Sequence, residues 1–160
     1  MVDGAEPVVH TSSVMKELRT EIDIAASPEA VWRVLTDFAA FPAWNPFIRE
    51  ASGEQTVGGK LRIRIVPSGG KGMVFKPTVL RYEPNRELRW RGRLGIPGLF
   101  DGEHSFLVEP VDGAGTRFVH SEVFTGLLVP LLASSLDGST RKAFEAMNLA
   151  LKERAEKSRE

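Results

Sequence analysis

From residue 47 to residue 124 the chain offers one strand candidate after another, with no stretch between them long enough for a helix. Residues 60–66 alternate cleanly, with Leu61, Ile63 and Ile65 on one face and Lys60, Arg62 and Arg64 on the other. Further strand candidates lie at residues 47–52, 73–82, 86–93, 104–109 and 116–124. They are separated by turn-forming groups: Ser68-Gly69-Gly70, Pro84-Asn85 and Asp112-Gly113-Ala114-Gly115. Short strands at this spacing, without crossover helices, predict an antiparallel meander.

Both flanks change period. Residues 17–24 read as a half-buried strand with Leu18, Ile22 and Ile24 on one face, Thr20 being the polar member of that apolar set. Ser27 and Pro28 are an N-cap and first-position pair, and Val31, Trp32, Val34 and Leu35 continue as a helical stripe. Residues 38–46 are crowded with aromatics and prolines, so any helix there is short. Residues 127–156 carry Leu128, Leu131, Leu132, Phe144, Met147 and Leu151 at helical spacing, with a break expected at Gly138 and Ser139. The predicted class is α+β: a curved antiparallel sheet of about seven strands wrapped around a long C-terminal helix, with one or two short helices after the first strand. Gly92, Gly95, Gly98 and Gly102 allow the sheet to bend. One helix cannot fill such a concavity, so a pocket of ~300–1,000 Å³ is expected.

At 160 residues the chain fits one domain. We read residues 17–156 as that domain, residues 1–16 as a flexible leader and residues 157–160 as a frayed tail. Basic and acidic residues number 21 each, so the net charge is zero and nucleic acid is not expected as a partner. The Arg-rich strand at residues 86–93 reads instead as a solvated convex face with cross-strand ion pairs, Trp90 turning inward. Cysteine is absent, which removes thiol catalysis, disulfides and thiolate metal sites. Without a membrane-length apolar run or a signal-peptide pattern, the expected location is the cytoplasm.

The string I-A-A-S-P-E-A-V-W-R-V-L-T-D-F-A-A-F-P-A-W-N-P, from Ile24 to Pro46, resembles the start of the SRPBCC superfamily, the START-like or birch-pollen-allergen-like helix-grip proteins. Leu88-x-Trp90, Gly102-x-His104-x-Phe106 and Phe144-x-x-Met147-Asn148-x-x-Leu151-Lys152 extend the resemblance to residues 17–156. It implies a helix-grip fold with a hydrophobic cavity between sheet and helix. Members include polyketide cyclases and aromatases, lipid carriers, hormone receptors and chaperone activators. The first expectation is therefore binding of a small hydrophobic or amphipathic molecule, lipid-like or polyketide-like. The alternatives are a cyclase or aromatase-like enzyme and a protein-interaction module. No cofactor or metal is expected, and a homodimer is left open.

The site candidates follow from strand phase. Phe118, His120, Glu122 and Phe124 share one face of the last strand, and two aromatics there turn it inward. If the hairpin at residues 112–115 pairs Val108 with Phe118, Phe106 opposes His120 and His104 opposes Glu122. Glu122, His120 and His104 are then the candidates for proton transfer. Two histidines with Glu122 hold no recognisable metal spacing. Ile63, Ile65, Phe75, Val79, Leu88, Trp90, Phe144 and Met147 are the expected apolar lining. Trp44 is either a packing residue or one at the mouth. Residues 94–101 read as a rim loop with Leu99 and Phe100 at its apolar tip, and Leu128 and Leu132 as part of an apolar entry into the last helix that packs against the sheet by default, with gating of the cavity or contact with a membrane surface as the alternatives.

Overall fold

The computed structural model describes residues 15–67 and 71–158. Residues 1–14 of the expected leader (His10 among them), the turn at residues 68–70 and the last two residues lie outside the described residues. Strand β1 (Met15–Ile24) already includes Met15 and Lys16, which sequence reading assigned to the leader. Helix α1 (Pro28–Thr36) starts as expected: the Ser27 hydroxyl accepts a hydrogen bond from the Ala30 N–H, and proline follows the cap. A 3₁₀ turn (Phe38–Ala40) and the one-turn helix α2 (Phe41–Trp44) complete the aromatic segment.

Among the described residues seven further strands follow: β2 (Ile48–Gly53), β3 (Leu61–Ile65), β4 (Met73–Phe75), β5 (Thr78–Glu83), β6 (Glu87–Arg93), β7 (Asp101–Val111) and β8 (Gly115–Thr125). They make two antiparallel sheets, one ordered β1-β8-β7-β6-β5 and the other β2-β3-β4. The count is eight rather than seven because the candidate at residues 73–82 is broken by Lys76-Pro77. Proline cannot donate to a ladder, and there the chain leaves the small sheet for the large one.

The C-terminal segment is helix α3 (Val129–Ser135), a five-residue π-helical turn (Leu136–Thr140) around Gly138, and helix α4 (Arg141–Lys157). The break falls where glycine interrupts the apolar pattern. Helix α4 continues through Lys157, which had been assigned to the frayed tail. Phe144, Met147, Leu151 and Ala155 are buried along its inner face against the large sheet and α1.

The convex face carries the expected ion pairs. Glu87 is buried there, accepting hydrogen bonds from Arg89 Nε (2.9 Å) and Ser105 Oγ (3.0 Å), with Arg81 Nη1 3.2 Å from its other oxygen. Asn45, fully buried, turns the chain into β2: its Oδ1 accepts from the N–H groups of Phe47 (3.0 Å) and Ile48 (2.8 Å). Asn45→Ala would strand both donors, at about 1–3 kcal/mol for each buried group. Urea unfolding of that variant is expected to show a lowered midpoint with an unchanged slope.

Candidate functional site

Strand β8 lies between β1 and β7, and its pairing with both builds the site. Against β7 the register is Val108 with Phe118, Phe106 with His120 and His104 with Glu122. Against β1, Thr20 opposes His120. All these side chains fall on the concave face, where α4 presents Asn148 between Phe144 and Leu151.

The result is a continuous polar chain through an apolar core. Glu122 Oε2 lies 3.2 Å from His104 Nδ1. His104 Nε2 and His120 Nε2 are 2.6 Å apart, and His120 Nδ1 is 2.8 Å from Asn148 Oδ1. Asn148 Nδ2 donates to the Thr20 hydroxyl (2.8 Å), which donates in turn to the backbone carbonyl of His120 (3.0 Å). His104, His120, Asn148 and Thr20 are all buried. Rings pack on both imidazoles: Phe144 lies parallel to His120 at 4.0 Å between centroids, and Phe106 stacks on His104 at 4.5 Å.

Burial holds the His120 imidazole well below the ordinary histidine range. The neighbouring His104 adds to that depression, and the hydrogen bond to Asn148 opposes it. His120 is therefore a neutral link.

Glu122 opens the chain to a cavity. Its side chain retains 16% of its exposure and lines a space of about 200 Å³ between the two sheets and the π-helical turn. Gly102 makes room for the carboxylate, since a Cβ there would stand 2.3 Å from Glu122 Oε1. Ile63, Ile65, Phe75, Trp90, Phe100, His104 and Phe124 also face the cavity. The space is smaller than anticipated because other expected lining residues fill its deep half as core. Val79, Leu88, Phe106, Phe118, His120, Phe144 and Met147 are all buried and none borders the cavity. Trp44 also stays off the cavity, packing edge-on against Phe41. Leu128 and Leu132 are likewise off it, although α3 is tied to the rim loop through Leu127 and Leu128 N–H bonds to the carbonyls of Gly98 and Leu99. Phe100 does not form an exposed tip: it stacks on Phe124, and Leu94 and Ile96 are the exposed large apolar residues of that loop.

Sequence reading missed Phe47, Met73, Leu94, Leu136 and Thr140 on the cavity wall, and Arg93 at its rim. It also missed both anchors of the polar chain, although each left a signal. Thr20 is the polar residue in an apolar strand face, and Asn148 sits within the helical stripe of Phe144, Met147 and Leu151. Among the described residues no group of three or more His, Asp or Glu is placed to hold a metal ion.

Over residues 15–156 the sequence matches the family described as polyketide cyclase/dehydrase and lipid transport. Comparison with curated protein sequences finds no match. Among solved structures, an aromatase/cyclase from a Streptomyces species is similar at a TM-score of 0.75 and 17% identity, covering 92% of this chain and 97% of its own. A START superfamily protein from Mycobacterium smegmatis is 25% identical at a TM-score of 0.69, with 89% and 98% covered. Norcoclaurine synthase from Thalictrum flavum, in complex with a transition state analogue, gives 17% identity and 0.72, with 93% and 99% covered.

The depressed pKa of His120 makes stability depend on pH. The unfolded chain binds a proton below pH about 6.5 that the folded chain refuses, so stability is present above that value and falls on acidification, by up to about 1.4 kcal/mol per pH unit. Chemical denaturation between pH 7 and 5 is expected to show this slope, and His120→Leu is expected to flatten it.

Proposed function

The chain belongs to the polyketide cyclase/dehydrase and lipid transport family, and we propose that it binds a compact hydrophobic or amphipathic molecule in the cavity between the sheets and the C-terminal helices. One observation carries this reading: among the described residues, an apolar wall built from both sheets surrounds a single carboxyl group, Glu122. Aromatic and aliphatic side chains supply affinity through water release, and the carboxyl fixes one hydroxyl or similar group of the ligand. The wall favours a ring system or short chain over a long acyl tail, because about 200 Å³ is little room.

A second reading, proton-transfer catalysis of the cyclase or dehydrase kind, is favoured by the position of Glu122 at the end of a buried hydrogen-bonded chain. In a β-hydroxy ketone, the Glu122 carboxylate would take the proton from the carbon between the two functions. It would then return that proton to the departing hydroxyl, leaving a conjugated enone and water. Such a role needs a group able to act as base and then acid, with its partner His104 held in place.

Native mass spectrometry of the purified protein, followed by extraction, tests the binding reading. The expected result is an apolar compound at one per chain, either retained or taken up from a panel of aromatic alcohols. Absence of binding across that panel and across fatty acids would reject it. Glu122→Leu is expected to weaken hydroxyl-bearing ligands about tenfold to a hundredfold while keeping the wall intact. On the catalytic reading, Glu122→Gln keeps the affinity for a β-hydroxy ketone and abolishes release of water.

A further inference from the structure

The polar chain has a direction, and its direction decides what charge the cavity meets. A backbone carbonyl can only accept, so the Thr20 hydroxyl must give its proton to His120 O. Its lone pairs then require a donor, which is Asn148 Nδ2, and this turns Asn148 Oδ1 toward His120. His120 Nδ1 must donate to that oxygen. Being neutral, His120 keeps a lone pair on Nε2, and His104 Nε2 must donate to it across 2.6 Å. What remains is His104 Nδ1 facing Glu122 Oε2 at 3.2 Å. Two bare lone pairs would repel there, so one proton lies between them, as imidazolium with carboxylate or as imidazole with carboxylic acid. Either way the pair carries no net charge.

We infer that Thr20 and Asn148 are positioning residues that hold the two buried histidines in fixed tautomers, so that the His104–Glu122 pair carries one shared proton and the site selects uncharged, hydroxyl-bearing ligands. The ligand class rests on the binding reading above; the tautomers do not. Reversing the chain gives the opposite site. With the Asn148 amide turned over, Thr20 donates to Asn148 Oδ1 and loses its bond to the carbonyl. His120 then carries its proton on Nε2, His104 donates from Nδ1, and Glu122 stands as an unneutralised carboxylate that favours a cation. Arg93, the one lysine or arginine among the described residues that lines the cavity, is half exposed at the rim and already faces Asp101 at 3.6 Å. It leaves the inner end to the pair.

Nitrogen-15 NMR of the histidine side chains in the full-length protein without ligand reads the tautomers. The expected spectrum shows His120 with a protonated Nδ1 and a bare Nε2, and a coupling between the two Nε2 nuclei through the shared hydrogen bond. His120 protonated on Nε2 would overturn the inference. Thr20→Val keeps the side-chain shape and removes the anchor, so both His120 tautomers are expected to appear, with Thr20→Ser restoring one. Should Thr20→Val fail to fold, Asn148→Leu serves the same purpose, and a single unchanged tautomer in whichever variant folds counts against the inference. For the ligand class, 1-naphthalenemethanol and 1-naphthylmethylammonium differ only in the group that reaches Glu122. The alcohol is expected to bind at least about tenfold more tightly, since an ammonium there meets no net negative charge. Equal or reversed preference would overturn the claimed selectivity. If neither probe binds, the binding reading loses support while the tautomer measurement still decides the positioning role.

Discussion

Two imidazoles and a carboxamide occupy the middle of an aromatic core, where an unpartnered nitrogen or oxygen costs about 1–3 kcal/mol. Much of the architecture bears on that cost. Strand β8 must lie between β1 and β7, because only there do Thr20 and His104 reach His120 from opposite sides. Helix α4 must cross the concave face at the height of Asn148, which in turn presses Phe144 flat onto His120. Hydrogen bonds and packing therefore specify the same arrangement. A slip of one residue in β8 would send His120 and Glu122 to the convex face and break every link made by their side chains together.

The same arrangement explains what the sequence disclosed and what it hid. Alternation is a local property, so the inward face of β8 could be read from phase, whereas the loop length allowed several registers and the pairing of His104 with Glu122 is settled only by the structure. The end of the long strand candidate at Pro77 is a local signal too, since proline lacks the N–H that a ladder needs. Cavity volume was not legible. Whether Phe106, Phe118, Phe144 and Met147 line a space or fill it depends on rotamers and on the depth at which α4 sits, which no single segment encodes. Thr20 and Asn148 were visible as irregularities, a hydroxyl and an amide in apolar stripes, but their meaning depends on a contact across 128 positions of chain.

The family likeness and the chemistry of the site constrain different things. Membership and structural similarity fix the helix-grip frame and the presence of a concave face. The character of this particular concavity comes from a few side chains: a carboxyl at the inner end, a glycine that admits it, and an aromatic wall. One frame can host many functions, so the chemistry has to be argued from the residues present here.

The division into two sheets bears on access. Among the described residues, the backbone hydrogen bonds between the sheets gather at one place, where residues 58–61 meet residues 77–79. Beyond that clasp, Ile63, Ile65 and Phe75 face Trp90, His104 and Phe124 across the cavity through side chains alone. The molecule is therefore bound like a book, stitched by backbone hydrogen bonds at the spine and held at the fore-edges by side-chain packing. Swinging the small sheet ajar ruptures no ladder, and the polar chain, rooted wholly in the large sheet and α4, stays in register while the covers part.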